Sequence, residues 1–188
     1  MPLAPIDAID SERLTLRPLA ADHLADLMAV NGDERVTRFV PYATWTSSAD
    51  AQAWHDRMQT LCAGGAAHQL VLLRRLDGRA IGTLLLFKHD EASRRIELGY
   101  ALGHDSWGQG LMREAVVAAC AHAFGEMDIR RIEAEVNPAN GASCALLERV
   151  GFTLEGRLRQ RWTGKGATYD THLYGLLAGE WPARRDAA

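Results

Sequence analysis

The sequence predicts an α/β (α+β) domain in which a mixed, mostly antiparallel central sheet is flanked by helices. Three observations carry this. Residues 69–74 (QLVLLR), 80–88 (AIGTLLLFK) and 96–102 (IELGYAL) are consecutive apolar runs joined by short polar turns, and the first turn holds Asp77-Gly78, a strong hairpin signal. A long alanine-rich helix over 111–124 then leads to the alternating strand 131–136 (RIEAEV), a connection long enough for a parallel crossover. Finally, 152–161 and 169–177 flank Thr163-Gly164-Lys165-Gly166 and read as a closing hairpin. Three antiparallel strands ahead of the long helix argue against a doubly wound parallel sheet.

The remaining elements follow in order. Nothing periodic begins before Ser11, so residues 1–10 read as a flexible lead-in. Arg13 to Arg17 (RLTLR) alternates polar and apolar, a half-buried strand that Pro18 closes. From Asp22, the residues Leu24, Leu27 and Met28 share one helical face, and Gly32 supplies a stop. A short helix is predicted over 34–39. Ser47 and Asp50 form a capping-box start for a helix through Trp54, Met58 and Leu61, ended by Gly64-Gly65. Between these lie Phe39, Tyr42 and Trp45, which read either as lining a cleft or as packing over a core edge. The 111–124 helix is apolar almost all round, as a buried helix is. A short helix over 142–150 precedes Gly151. The plan is one domain over 11–178, with a polar tail over 179–188.

Composition narrows the function classes. A chain of 188 residues can bury a core without staples, and its net charge of −3 gives no electrostatic case for nucleic-acid or membrane-surface binding. Cys62, Cys120 and Cys144 are odd in number and widely spaced, which points to a reducing compartment rather than a disulfide framework. The N-terminus lacks a basic region followed by a long apolar run, so a cytoplasmic location is expected. The seven histidines show neither H-E-x-x-H nor Cys/His spacing, and no metal site is expected.

The chemistry gathers in residues 96–124: a strand, a polar turn, Gly108-Gln109-Gly110, then the long helix. Glycines let backbone approach a ligand closely, and the first amides of a helix lack partners within it, so this is a way to hold a phosphate. A dinucleotide fingerprint fails because Arg113 stands where the third glycine belongs, and a P-loop fails because no Gly-Lys-Ser/Thr follows. What remains is a cradle of successive amides from Gly108, Gln109, Gly110, Leu111, Met112 and Arg113, or a tight turn with no ligand.

Five stretches in order then make the chain recognisable: SERLTLRPL, IELGYALGHDSWGQGLMREA, VNPANGASCALLERVGF, EGRLR and YDTHLYGLL. Over roughly 10–178 the chain resembles the GNAT superfamily of N-acetyltransferases, in the RimJ/RimL-type branch that acetylates ribosomal-protein N-termini. The resemblance implies a central sheet of six to seven strands, acetyl-CoA as donor, a primary amine as acceptor and, from the branch, a homodimer. It places the family's pyrophosphate loop, (Gln/Arg)-x-x-Gly-x-(Gly/Ala), on Trp107-Gly108-Gln109-Gly110-Leu111-Met112, with departures at Trp107 and Met112. It assigns the pantetheine arm to the strand backbone at Tyr100, Ala101 and Leu102, and cofactor contacts to Asn140 and Ser143 of an N-x-x-S motif.

An amine must be neutral to attack a thioester, and an α-amino group with a pKa of about 8 needs less help than a lysine. Glu97 is the candidate base, its other reading being a surface residue alternating on the strand. A backbone amide near Leu102 would hold the developing oxyanion. Many family members carry a tyrosine acid where this chain has Leu147. Ser143 then remains as a proton donor, or as a residue that only positions the cofactor. Cys144 has no base assigned by motif, and Glu155 and Asp170 read as structural ion-pair partners. The preferred acceptor is a protein N-terminal α-amine; a small-molecule amine (polyamine, aminoglycoside or amino-acid derivative) and a non-catalytic acyl-CoA-binding module stand as alternatives.

Overall fold

A computed structural model describes residues 3–181. Its strands are β1 (Ile9–Asp10), β2 (Leu14–Pro18), β3 (His68–Arg74), β4 (Ala80–Asp90), β5 (Arg95–Leu102), β6 (Arg131–Val136), β7 (Thr153–Gly164) and β8 (Ala167–Leu177). The helices are α1 (Leu24–Asn31), α2 (Glu34–Thr37), α3 (Ser48–Ala63), α4 (Leu111–Gly125) and α5 (Gly141–Val150). All eight strands form one sheet in the order β1-β2-β3-β4-β5-β6-β8-β7, and β5–β6 is its parallel pair. No helix among the described residues is long and apolar enough to cross a membrane.

Alternation along the strands splits the core into two layers. Leu70, Leu72, Leu84, Leu86, Ile96 and Leu98 pack on the side of α4 and α5, whereas Val71 and Ala101 pack with α1 to α3. On α4, Ala115, Ala119 and Ala123 recur every four residues and are fully buried, so small side chains form the seam that brings this helix close to its neighbours. The predicted capping box also forms: the Asp50 carboxylate accepts from the N–H groups of Thr46 (2.8 Å) and Ser47 (2.9 Å). Of the aromatics before α3, Trp45 is buried and packs at a tilt against Trp54 at 5.4 Å, and Tyr42 lies 6.4 Å from the same ring, so these two pack on a core edge.

The lead-in is not loose. Leu3, Ile6 and Ile9 are buried in the core shared with α4, and β1 pairs with β2 through Ile9↔Leu16 and Asp10↔Thr15. Three apolar residues without strand or helix period leave no local signal, yet apolar surface on the sheet collects them. The sheet accordingly has eight strands rather than six or seven. At the other end, Ala178–Glu180 form a 3-10 turn, and Trp181 is buried against Phe124 at 5.7 Å. Residues 182–188 of the expected tail, like residues 1–2, lie outside the described part.

Candidate active site

The glycine turn presents free amides at a helix start. Gly108 and Gly110 adopt φ of 72° and 74°, and Gly110 is the residue that opens α4. A Cβ on Gly108 would meet nothing within 4 Å, so backbone conformation rather than crowding selects glycine there. The first hydrogen bond of α4 runs from Glu114 N–H to the Gly110 carbonyl at 3.1 Å, leaving the amides of Leu111, Met112 and Arg113 without a partner inside the helix. The Met112 side chain is buried, so this residue offers the cradle only its N–H, while Arg113 is exposed. The turn is fastened from behind by Arg13 on the segment leading into β2. Its guanidinium donates to the Gln109 carbonyl (2.9 Å) and to Glu114 Oε2 (2.7 Å). Burial raises the Glu114 pKa, but bonds from the Arg13 amide, Ser11 and the Arg13 guanidinium outweigh it and hold the carboxyl below the usual range.

Beside the turn, the sheet opens. β5 and β6 pair only at Arg95↔Arg131, Ile96↔Ile132 and Glu97↔Glu133, and no strand pairs with β5 on that side beyond Glu97. Gly103 N–H donates to the Ile81 carbonyl at 2.8 Å, on the β4 side. Backbone polar groups alternate along a strand, so those of Leu102 and Tyr100 point away from β4 into the gap. The Leu102 carbonyl is engaged there by Trp107 Nε1 at 2.8 Å. The backbone groups of Ala101 face β4 instead, in register with Thr83. A slot edged by backbone that no neighbouring strand pairs, and ending at a cradle of amides, fits an extended amide-bearing arm that ends in a pyrophosphate.

Two polar clusters flank the slot. On the α5 side, Asn140 caps the helix by accepting from Ser143 N–H at 3.3 Å, and Ser143 Oγ lies 2.8 Å from the Tyr100 hydroxyl. Burial pushes the Tyr100 pKa up, and the bond to Ser143 offsets this only partly. Leu147 is fully buried and takes no part. Cys144 Sγ lies 3.9 Å from His172 Nδ1, a neighbour that no motif indicates.

On the opposite face, Glu97 is the last β5 residue to pair with β6 and is buried. Its Oε2 accepts from Lys88 Nζ at 2.7 Å, and Lys88 also lies 4.0 Å from Glu135. Glu135 accepts from Trp162 Nε1 (2.7 Å) and Arg161 (3.2 Å). Burial raises the Glu97 pKa; Lys88 works against this, and the charges of Glu135 and Glu133 add to it. For Glu135, burial also raises the pKa, but Arg161 and Trp162 carry it below the usual range.

The acetyltransferase (GNAT) domain model matches residues 13–153. The chain belongs to the GNAT family. Among similar proteins, an uncharacterised N-acetyltransferase p20 of Bacillus licheniformis is 30% identical over 176 residues, covering 94% of this chain and 99% of its own. A [ribosomal protein uS5]-alanine N-acetyltransferase of Escherichia coli is 36% identical over 88 residues, 47% of this chain and 45% of its own. A solved GCN5-related N-acetyltransferase from Brucella melitensis superposes with a TM-score of 0.88 at 26% identity, over 99% of this chain and 86% of that one.

This GNAT acetyltransferase brings the sequence-predicted residues to the slot from three sides. Gly108 to Arg113 form its glycine-turn end, Tyr100 and Leu102 its strand edge, and Asn140 and Ser143 its α5 wall. Glu97 lies at its closed end on the other face, and Ala101 turns its polar groups away. Glu155 and Asp170 are ion-paired, with Arg131 and with Arg157 at 2.7 Å. Sequence reading missed Lys88, Glu135, Trp162 and the Arg13–Glu114 latch. The alternating Glu133 and Glu135 of RIEAEV were the visible trace of the acidic face. Nothing local joins Lys88 to Glu97, nor Arg13 to residues about a hundred positions away.

Proposed function

We propose that this enzyme transfers an acetyl group from acetyl-CoA to a protein N-terminal α-amine, by direct attack with both partners bound. The observation that carries the reading is Glu97, a buried carboxylate at the point where β5 and β6 part. Donor and acceptor would meet there from opposite faces of the sheet. The amides of Gly108 to Arg113 would hold the pyrophosphate, and the backbone of Tyr100 and Leu102 the pantetheine arm. When bound, acetyl-CoA supplies an activated acetyl thioester and departs as a thiol.

The chain's own residues do the rest. Glu97, with a raised pKa, takes a proton from the acceptor ammonium more readily than a solvated glutamate would. An α-amine with a pKa of about 8 is partly neutral at pH 7, so the demand on this base is modest. Ser143 Oγ, hydrogen-bonded to Tyr100, holds the proton available to the leaving sulfur. The acceptor class is supported by the E. coli relative, which acts on a ribosomal-protein alanine. The test is an acceptor panel of N-terminal peptides, polyamines, aminoglycosides and amino acids, followed by CoA release. Preference for peptides with a free α-amine supports the reading; preference for a polyamine moves the acceptor to the small-molecule class.

A further inference from the structure

We propose that the ε-amine of Lys88 occupies the acceptor's place beside Glu97 and is itself acetylated by the enzyme when no acceptor is present. This rests on Glu97 being the base, as read above. Phe87 and Glu97 are directly paired across β4 and β5, so their side chains share a face, and regular alternation would send Lys88 to the opposite one. It does not go there. The register breaks between Phe87 and Asp90, and Lys88 adopts φ 53°, a left-handed conformation that residues with side chains seldom take. The irregular backbone returns the Lys88 ammonium to the Glu97 face.

The site it enters is made for a cation. Two carboxylates, Glu97 at 2.7 Å and Glu135 at 4.0 Å, and two ring faces, Phe87 at 5.2 Å and Trp162 at 6.0 Å, surround the nitrogen. The Glu97 side chain is 8% exposed and that of Lys88 44%, so the carboxylate is the fixed partner and the amine the wet one. The chain's other lysine, Lys165, donates to the Thr37 carbonyl, away from this base, and serves as an internal control.

Glu97 Oε2 accepts one proton from the Lys88 ammonium. The freed nitrogen lone pair forms a C–N bond to the acetyl carbon of a bound acetyl thioester, and the C–S bond breaks. Its electron pair leaves on sulfur, which takes the second amine proton and departs as CoA thiol. Glu97 returns its proton to solvent. The product, a neutral acetyl-lysine, can no longer give Glu97 an ammonium partner.

The full chain is incubated with acetyl-CoA and no added amine, and its lysines are mapped by peptide mass spectrometry. Lys88 is expected to gain an acetyl group about 100-fold faster than Lys165, and about 100-fold more slowly in Glu97→Gln. Lys88→Arg keeps the positive charge and gains no acetyl group at 88. Without any donor, Cε-labelled lysines give two NMR signals, of which Glu97→Gln should move one. Unmodified Lys88, equal labelling of both lysines, labelling indifferent to Glu97→Gln, or two unmoved signals overturns the proposal. If Lys88 stays unlabelled while an added amine is acetylated, this inference falls alone. If neither occurs across the amine panel, the role of Glu97 falls with it.

Discussion

The two sides of the slot present different kinds of groups. The proposed donor side, from β5 through the glycine turn into α4, presents backbone: groups of Tyr100 and Leu102 that no neighbouring strand pairs, and helix-start amides at Leu111 to Arg113. The acceptor side presents side chains drawn from β4, β5, β6 and β7: Lys88, Glu97, Glu135 and Trp162. Backbone recognition tolerates exchange of side chains, so in the proposed donor site Trp107 and Met112 can depart from the family's loop pattern. Side-chain recognition does not, so under the proposed function selectivity for the acceptor resides there.

The largest expected effect lies on the acceptor side. Glu97→Gln should lower kcat/KM by about 100-fold while leaving the KM for acetyl-CoA unchanged; a comparable rise in that KM would erase the division between the sides. Next comes Gly110→Val. A β-branched residue at φ 74° is strained by about 1–2 kcal/mol, so affinity for acetyl-CoA measured by calorimetry should fall about tenfold, with kcat spared. A kcat loss with affinity intact would put the turn in the chemistry instead. Arg13→Met removes the latch on Gln109 and Glu114. Because Arg13 is half-exposed, the cost is discounted to about 1 kcal/mol in denaturant unfolding. Tyr100→Phe should do least to stability, about 0.5–1 kcal/mol from one lost hydrogen bond, and should lower kcat rather than raise either KM.

How much of this was legible follows the same division. Gly108 and Gly110 announce themselves because positive φ demands glycine, and α4 because its alanines recur at helical spacing. Asn140 and Ser143 show only through the N-x-x-S motif of the family resemblance, and their cap bond appears in the fold. The acceptor side is written in contacts between strands. The bulge at Lys88 has no glycine to mark it, and only the fold shows that it faces Glu97 and Glu135. The buried Leu3, Ile6 and Ile9 were hidden for a related reason, since their partners lie on elements far along the chain.

The pH dependence of Glu97 tests the account most directly. Burial raises its folded pKa above the unfolded value, with Lys88 opposing. The folded chain therefore holds this proton more tightly, and the stability it lends is full below the usual glutamate range and lost as pH rises through the raised value. For the proposed base role the sign is the reverse, because Glu97 must be ionised to take a proton. The decisive measurement is the kcat/KM profile of the wild type and of Glu97→Gln against pH, with a peptide acceptor. The account predicts that the wild type carries an acid limb above the usual glutamate range and that this limb vanishes in the variant. An unchanged limb in Glu97→Gln would contradict it.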